Sequence, residues 1–190
     1  MAPVSLGALV DGWFSGARAV PSPNQDERPH GVSIDLLVIH AISLPPDVFG
    51  GDDVERLFTN TLDCDTHPFY DGLRDLRVSA HLYIRRNGEV VQFVGLNQRA
   101  WHAGVSRFGD RERCNDFSIG VEMEGCDTKA FADVQYPALV ALTIRLREAF
   151  PEIVEGHIVG HSDIAPGRKT DPGPLFDWGR FRSAMRDGTA

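Results

Sequence analysis

The stretch SIDLLVIH, residues 33–40, is a short run of Ile, Leu and Val that ends on a histidine. A run of this length with no polar alternation reads as a strand buried on both faces, which places it inside a sheet covered by helices. EGHIVGH, residues 155–161, repeats the pattern and also delivers a histidine at its end. Between them FSIGVEME, residues 117–124, alternates: Ile119, Val121 and Met123 share one face, while Gly120, Glu122 and Glu124 share the other. A period of two makes this a third strand, whose carboxylate-bearing face looks toward water or a site.

AHLYIRRNGEVVQFV, residues 80–94, has two β-prone arms around Asn87-Gly88. That dipeptide predicts a hairpin closed by a type I′ turn, in which both central residues take positive φ. ISLPPDVFGGDDVERLFTN, residues 42–60, reads as a Pro/Gly-rich loop followed by a short helix through Val54, Leu57 and Phe58. From Tyr136 to Phe150, Leu139, Leu142, Leu146 and Phe150 recur at helical spacing, with Pro137 in the first turn and Pro151 at the end. FDWGRFRSAM, residues 176–185, reads as a terminal helix with Phe181 turned inward. This mixture predicts an α+β fold: one domain over residues 1–190, with a central mixed β-sheet flanked by helices.

The 190 residues suffice for one ordinary core, and the formal net charge of −8 argues against unspecific binding to nucleic acid or an anionic membrane. Cys64, Cys114 and Cys126 are too scattered for a disulfide framework or a metal clip, so they point to a reducing, cytoplasmic setting. The N-terminal MAPVSLGALVDGWFSGARAV lacks an early positive region and is interrupted by Asp11, so it does not read as a leader. No apolar run approaches the roughly 20 residues of a membrane span.

Ligands of open sheets gather beyond the carboxyl ends of the strands, where both His40 and His161 fall. Two histidines and a nearby aspartate suit a mononuclear catalytic zinc site, in which three protein ligands leave a fourth position for water. Spacing alone does not single these residues out among seven histidines, and a histidine on a strand is more often structural. GHSDIAPGRKTDPG, residues 160–173, reads equally as a solvated loop or as a site.

Five segments in order decide between these readings: LLVIHAISLPPDVFGG (36–51), RVSAHLYIRRNGEVVQFV (77–94), RAWHAGVSRF (99–108), RERCNDFSIGVEMEG (111–125) and GHSDIAPGRKTDPGPLFDW (160–178). Together they resemble the AmpD-type 1,6-anhydro-N-acetylmuramyl-L-alanine amidases. That group belongs to the zinc amidase family that also contains phage amidases and peptidoglycan recognition proteins. The resemblance runs from about Gly12 to about Arg182. It implies one Zn2+ per chain on His40, His161 and Asp171, with Glu122 and Lys169 as catalytic residues and Trp101, Arg77 and Arg113 near the substrate. His81 and His102 would then be supporting residues, and Ala41 replaces the Asn that the family pattern carries beside the first ligand.

The implied activity is hydrolysis of the amide between the lactyl group of an anhydro-muropeptide and L-alanine, by a monomer in the cytoplasm. It would serve peptidoglycan recycling and lower the inducer of β-lactamase. Lys169 and Asp171 lie two apart, so an extended loop would direct both to one region if Thr170 pointed away. An amidase acting on intact or non-anhydro peptidoglycan, and a module that only binds peptidoglycan, are the alternatives.

Overall fold

Strand formation follows the apolar runs. In the computed structural model, which describes residues 5–188, six strands form the central sheet: β1 (Arg18–Ala19), β2 (Leu36–Ile42), β3 (Leu82–Ile84), β4 (Val90–Gln92), β5 (Ser118–Glu124) and β6 (Ile158–Gly160). Their spatial order is β6-β2-β5-β3-β4-β1, with only the β3-β4 pair antiparallel. The sheet is mixed, as the sequence predicts, and its middle strands β2 and β5 are buried along most of their length.

Helix α1 (Asp53–Phe58) follows the Pro/Gly-rich loop, α2 (Gln135–Ala149) carries the leucine stripe, α3 (His161–Ile164) is a single turn, and α4 (Trp178–Asp187) closes the chain. Leu139, Leu142 and Leu146 of α2 pack with Phe181 of α4 onto Leu37, Ile39, Ile119, Val121 and Met123. Fully burying each such side chain stabilises the fold by about 1.5–3 kcal/mol. The Gln135 side chain fixes the start of α2 by donating to the carbonyls of Ile84 and Glu124 at 3.1 Å each.

The opposite face of the sheet carries Leu36 and Val38, packed with Ala103, Cys114, Phe117 and Ile164. Beyond this small apolar cluster the same face turns polar. His40, Glu122 and Glu124 lie there, all buried. The carboxylate face of β5 is therefore turned away from bulk water.

Two local expectations are corrected. The β3-β4 hairpin does not close through a type I′ turn, because Gly88 has φ +85° while Asn87 keeps a negative φ. Gly88 N–H donates to Arg85 O and Arg85 N–H to Glu89 O, both at 2.9 Å, which is the three-residue connection ended by a left-handed glycine. Asn87 contributes through its side-chain oxygen, which accepts the Glu89 N–H at 3.0 Å. Strand β6 is also shorter than EGHIVGH: a 3-10 turn occupies Glu155–His157, and His161 opens α3 just beyond the strand.

Candidate active site

Register brings three candidate side chains into one row. On the parallel strands β2 and β5, His40 stands opposite Glu122. On the other side of β2, Gly160 pairs with Ile39, so His161 emerges next to His40. The row lies at the carboxyl ends of three neighbouring parallel strands, the place where open sheets hold ligands.

Asp171 reaches the row by a folded return. The N–H groups of Arg168 and Lys169 both donate to Ala165 O at 3.1 Å, which turns the chain back. Ser162 N–H then donates to Asp171 O at 2.9 Å, tying the aspartate to the first turn of α3. Gly160 permits this approach, since a Cβ there would lie 2.7 Å from Pro172 Cδ. Asp163 caps the same turn by accepting the Gly160 N–H at 2.7 Å. The loop is thus turned rather than extended, and Lys169, Thr170 and Asp171 all line the cavity.

Three atoms converge. His40 Nδ1 and His161 Nδ1 are 2.9 Å apart, and Asp171 Oδ2 lies 3.1 Å from the first and 3.0 Å from the second. An ion about 2.0–2.2 Å from each of three tetrahedral ligands spaces them roughly 3.3 Å apart, close to this triangle. Two imidazole nitrogens and one carboxylate oxygen are also a common donor set for zinc. The residues therefore fit a divalent metal, and His40, His161 and Asp171 form the candidate cluster found among the described residues.

Electrostatics sharpen the roles. Burial pushes the His40 imidazole down to about 4, against the opposing pull of Asp171, so it is neutral at pH 7. Glu122 is driven well above its ordinary value by burial and then by the charge of Asp171, while Lys169 opposes the shift. Glu122 is 8% exposed, and its Oε2 is a buried oxygen with no hydrogen-bond partner. An unpartnered carboxylate beside a metal-type triangle is available to a substrate or water.

The row opens into a cavity of about 730 Å³ whose walls include Ala41, Phe69, Arg77, Trp101, Arg168 and Lys169. Trp101 is oriented by its indole N–H, which donates to Asp26 Oδ1 at 3.1 Å. Ala41 packs its side chain toward the α2 face, so only part of it borders the cavity. Arg113 does not line this cavity. It has φ +60°, pairs with Asp116 at 3.3 Å, and borders a neighbouring depression with Gly104 and Arg168.

The sequence patterns do not single out Asn115 or Ser118. Arg168 Nη2 donates to the carbonyls of Ala103 and Val105 at 2.6 and 2.7 Å, beside His161. Asn115 holds the backbone of His102 and Ala103, and Ser118 contacts His102. The signal for Ser118 was present: it shares the period-two face of Glu122.

Residues 30–174 match the family described as N-acetylmuramoyl-L-alanine amidase (Amidase_2). The chain belongs to this amidase family. It is 57% identical over 174 residues to the 1,6-anhydro-N-acetylmuramyl-L-alanine amidase AmpD of Escherichia coli (strain K12), covering 92% of this chain and 94% of that protein. The AmpD of Haemophilus influenzae is 49% identical, with 94% of this chain and 97% of the relative aligned. Among solved structures, a Se-Met AmpD derivative superposes with TM-score 0.90 at 55% identity, over 93% of this chain and 98% of the other. The amidase AmiD of E. coli, solved with the substrate anhydro-N-acetylmuramic acid-L-Ala-D-gamma-Glu-L-Lys, gives TM-score 0.59 at 28% identity, over 86% of this chain and 62% of that one. The protein is therefore an amidase, a hydrolase with the α+β fold of its relatives, and no described helix is long and apolar enough to cross a membrane.

Proposed function

We propose that this amidase hydrolyses the amide joining the lactyl group of 1,6-anhydro-N-acetylmuramic acid to L-alanine, using one zinc ion held by His40, His161 and Asp171. The observation that carries the reading is the triangle of ligand-type atoms at 2.9–3.1 Å, set beside the unpartnered buried carboxylate of Glu122. Likeness to AmpD along nearly the full length supports the anhydro-muropeptide as substrate.

When bound, zinc polarises a carbonyl and brings the pKa of water from 15.7 to about 7. Glu122 takes the proton of the attacking water and passes it to the departing amine of L-alanine, acting as base and then as acid. Its raised pKa makes the carboxylate the stronger base toward the attacking water, and the carboxyl then holds that proton until the departing amine, a stronger base still, takes it. Lys169 carries its positive charge on the same cavity wall and steadies the negative charge that grows on the carbonyl oxygen. Trp101 and Arg77 contact the muropeptide, Trp101 through its ring and Arg77 through its charge.

The three free thiols support a reducing, cytoplasmic place of action as a monomer in peptidoglycan recycling, where removal of the peptide lowers the inducer of β-lactamase. The test compares a defined anhydro-muropeptide with intact sacculi, by mass spectrometry of the released peptide. The reading expects fast cleavage of the anhydro-muropeptide. Equal or faster cleavage of sacculi would assign the enzyme to polymeric peptidoglycan instead.

A further inference from the structure

The far nitrogens of the two candidate ligand histidines lead back to one place, the 3-10 turn Cys114–Asp116. We infer that this turn dictates the tautomers of both His40 and His161, with Ser118, His102 and Asn115 as positioning residues that leave each Nδ1 with a lone pair facing Asp171. The tautomers rest on hydrogen-bond geometry alone; their purpose rests on the proposed metal site.

The first arm is settled by counting protons. Cys114 O is a carbonyl and can only accept, and Ser118 Oγ lies 2.6 Å from it, so the single hydroxyl proton is used there. Toward His102 Nε2, at 3.1 Å, Ser118 Oγ therefore acts as acceptor and Nε2 carries the proton. With Nε2 carrying the proton of the singly protonated ring, His102 Nδ1 presents its lone pair to His40, against which the ring packs edge-on. That lone pair accepts the proton on His40 Nε2 at 2.9 Å. The remaining nitrogen of His40, Nδ1, is left bare toward His161 and Asp171.

The second arm uses the neighbouring residue. Asn115 Oδ1 accepts the N–H groups of Ala103 at 2.8 Å and His102 at 3.1 Å, which fixes the Ala103 peptide. Ala103 O lies 3.1 Å from His161 Nε2 and can only accept, while both protons of Arg168 Nη2, 3.3 Å from Nε2, go to Ala103 O and Val105 O, so in the singly protonated ring Nε2 carries the proton and Nδ1 keeps its lone pair. The turn is itself fastened from behind: half-buried Arg28 donates to the carbonyls of Asn115 and Asp116 at 3.1 Å and of Ser118 at 2.8 Å. Gly120 gives the His102 ring its room, because a Cβ there would lie 2.4 Å from His102 Cγ.

Such partners of ligating histidines typically alter metal affinity about 10–100-fold when lost. The experiment is long-range 1H–15N correlation on histidine-labelled protein, metal-free and zinc-loaded, which reports the protonated nitrogen of each ring. Zinc affinity is measured alongside by competition with a chelator. In the wild-type protein His102 is expected to carry its proton on Nε2 in both states. Ser118→Ala should move His102 toward the Nδ1-protonated form and weaken zinc binding about 10–100-fold, and Ser118→Thr should restore both. A wild-type His102 protonated on Nδ1 overturns the inference without needing any variant. So does a folded Ser118→Ala protein with unchanged tautomer and unchanged zinc affinity. A protein that shows the stated tautomer but binds no zinc would instead refute the metal site and leave the tautomer assignment standing.

Discussion

His40 and Glu122 are register partners on adjacent parallel strands, so a candidate metal ligand and the candidate proton carrier are fixed relative to each other by sheet hydrogen bonding. Neither depends on a mobile loop for its position. Glu122→Gln preserves shape and burial but removes the proton carrier. The expected outcome is a loss of about 10²–10⁴-fold in kcat with zinc content unchanged, measured on purified enzyme with anhydro-muropeptide. Retained turnover would remove Glu122 from the mechanism.

The same substitution has a stability consequence of opposite sign. Glu122 has a folded pKa raised above its ordinary value, so its contribution is fully favourable at low pH and is lost as pH rises through the folded pKa. Metal-free Glu122→Gln protein should therefore melt higher than wild type at neutral pH, and the gap should close as pH falls below the ordinary carboxylate range. Thermal melts across pH check the sign.

Lys169 acts on charge that develops during the reaction, so its effect belongs in kcat. Lys169→Ala should lower kcat by about 10²–10³-fold, as loss of an oxyanion donor does, while KM and zinc stoichiometry change little. A change confined to KM would make Lys169 a binding residue.

Gly160 sets how closely the loop bearing Asp171 approaches β6. Gly160→Ala places a methyl 2.7 Å from Pro172 Cδ, and the loop must shift outward. Zinc affinity should fall about tenfold or more, read by chelator competition, while the circular dichroism spectrum stays that of the wild type.

Legibility in the sequence tracked periodicity. The alternation of 118–124 separated Ile119, Val121 and Met123 from Glu122, and the leucines of α2 announced their partner face. The hairpin was placed by Asn87-Gly88, but its turn type was not, because a single left-handed glycine serves a three-residue connection as well as a two-residue one. The short strand pairs Leu9–Val10 with Trp13–Phe14 and Gln25–Glu27 with Gln98–Ala100 were missed, since two or three residues carry no period to read. Within the site, His40 and His161 were legible from the strand ends. Asp171, Glu122 and Lys169 as a set came from the family resemblance. Arg113 came the same way, yet its side chain pairs with Asp116 outside the cavity. The arms through Ser118 and Asn115 depend on which carbonyl meets which ring nitrogen, and no residue pattern encodes that.

The central claim is that catalysis needs a metal held by His40, His161 and Asp171. It is tested most directly by following peptide release from anhydro-muropeptide before chelation, after chelation, and after one equivalent of zinc is restored. The account predicts full activity, then essentially none, then recovery with about one zinc per chain, and no recovery in Asp171→Ala. Undiminished turnover by a chelated, zinc-free protein would contradict it.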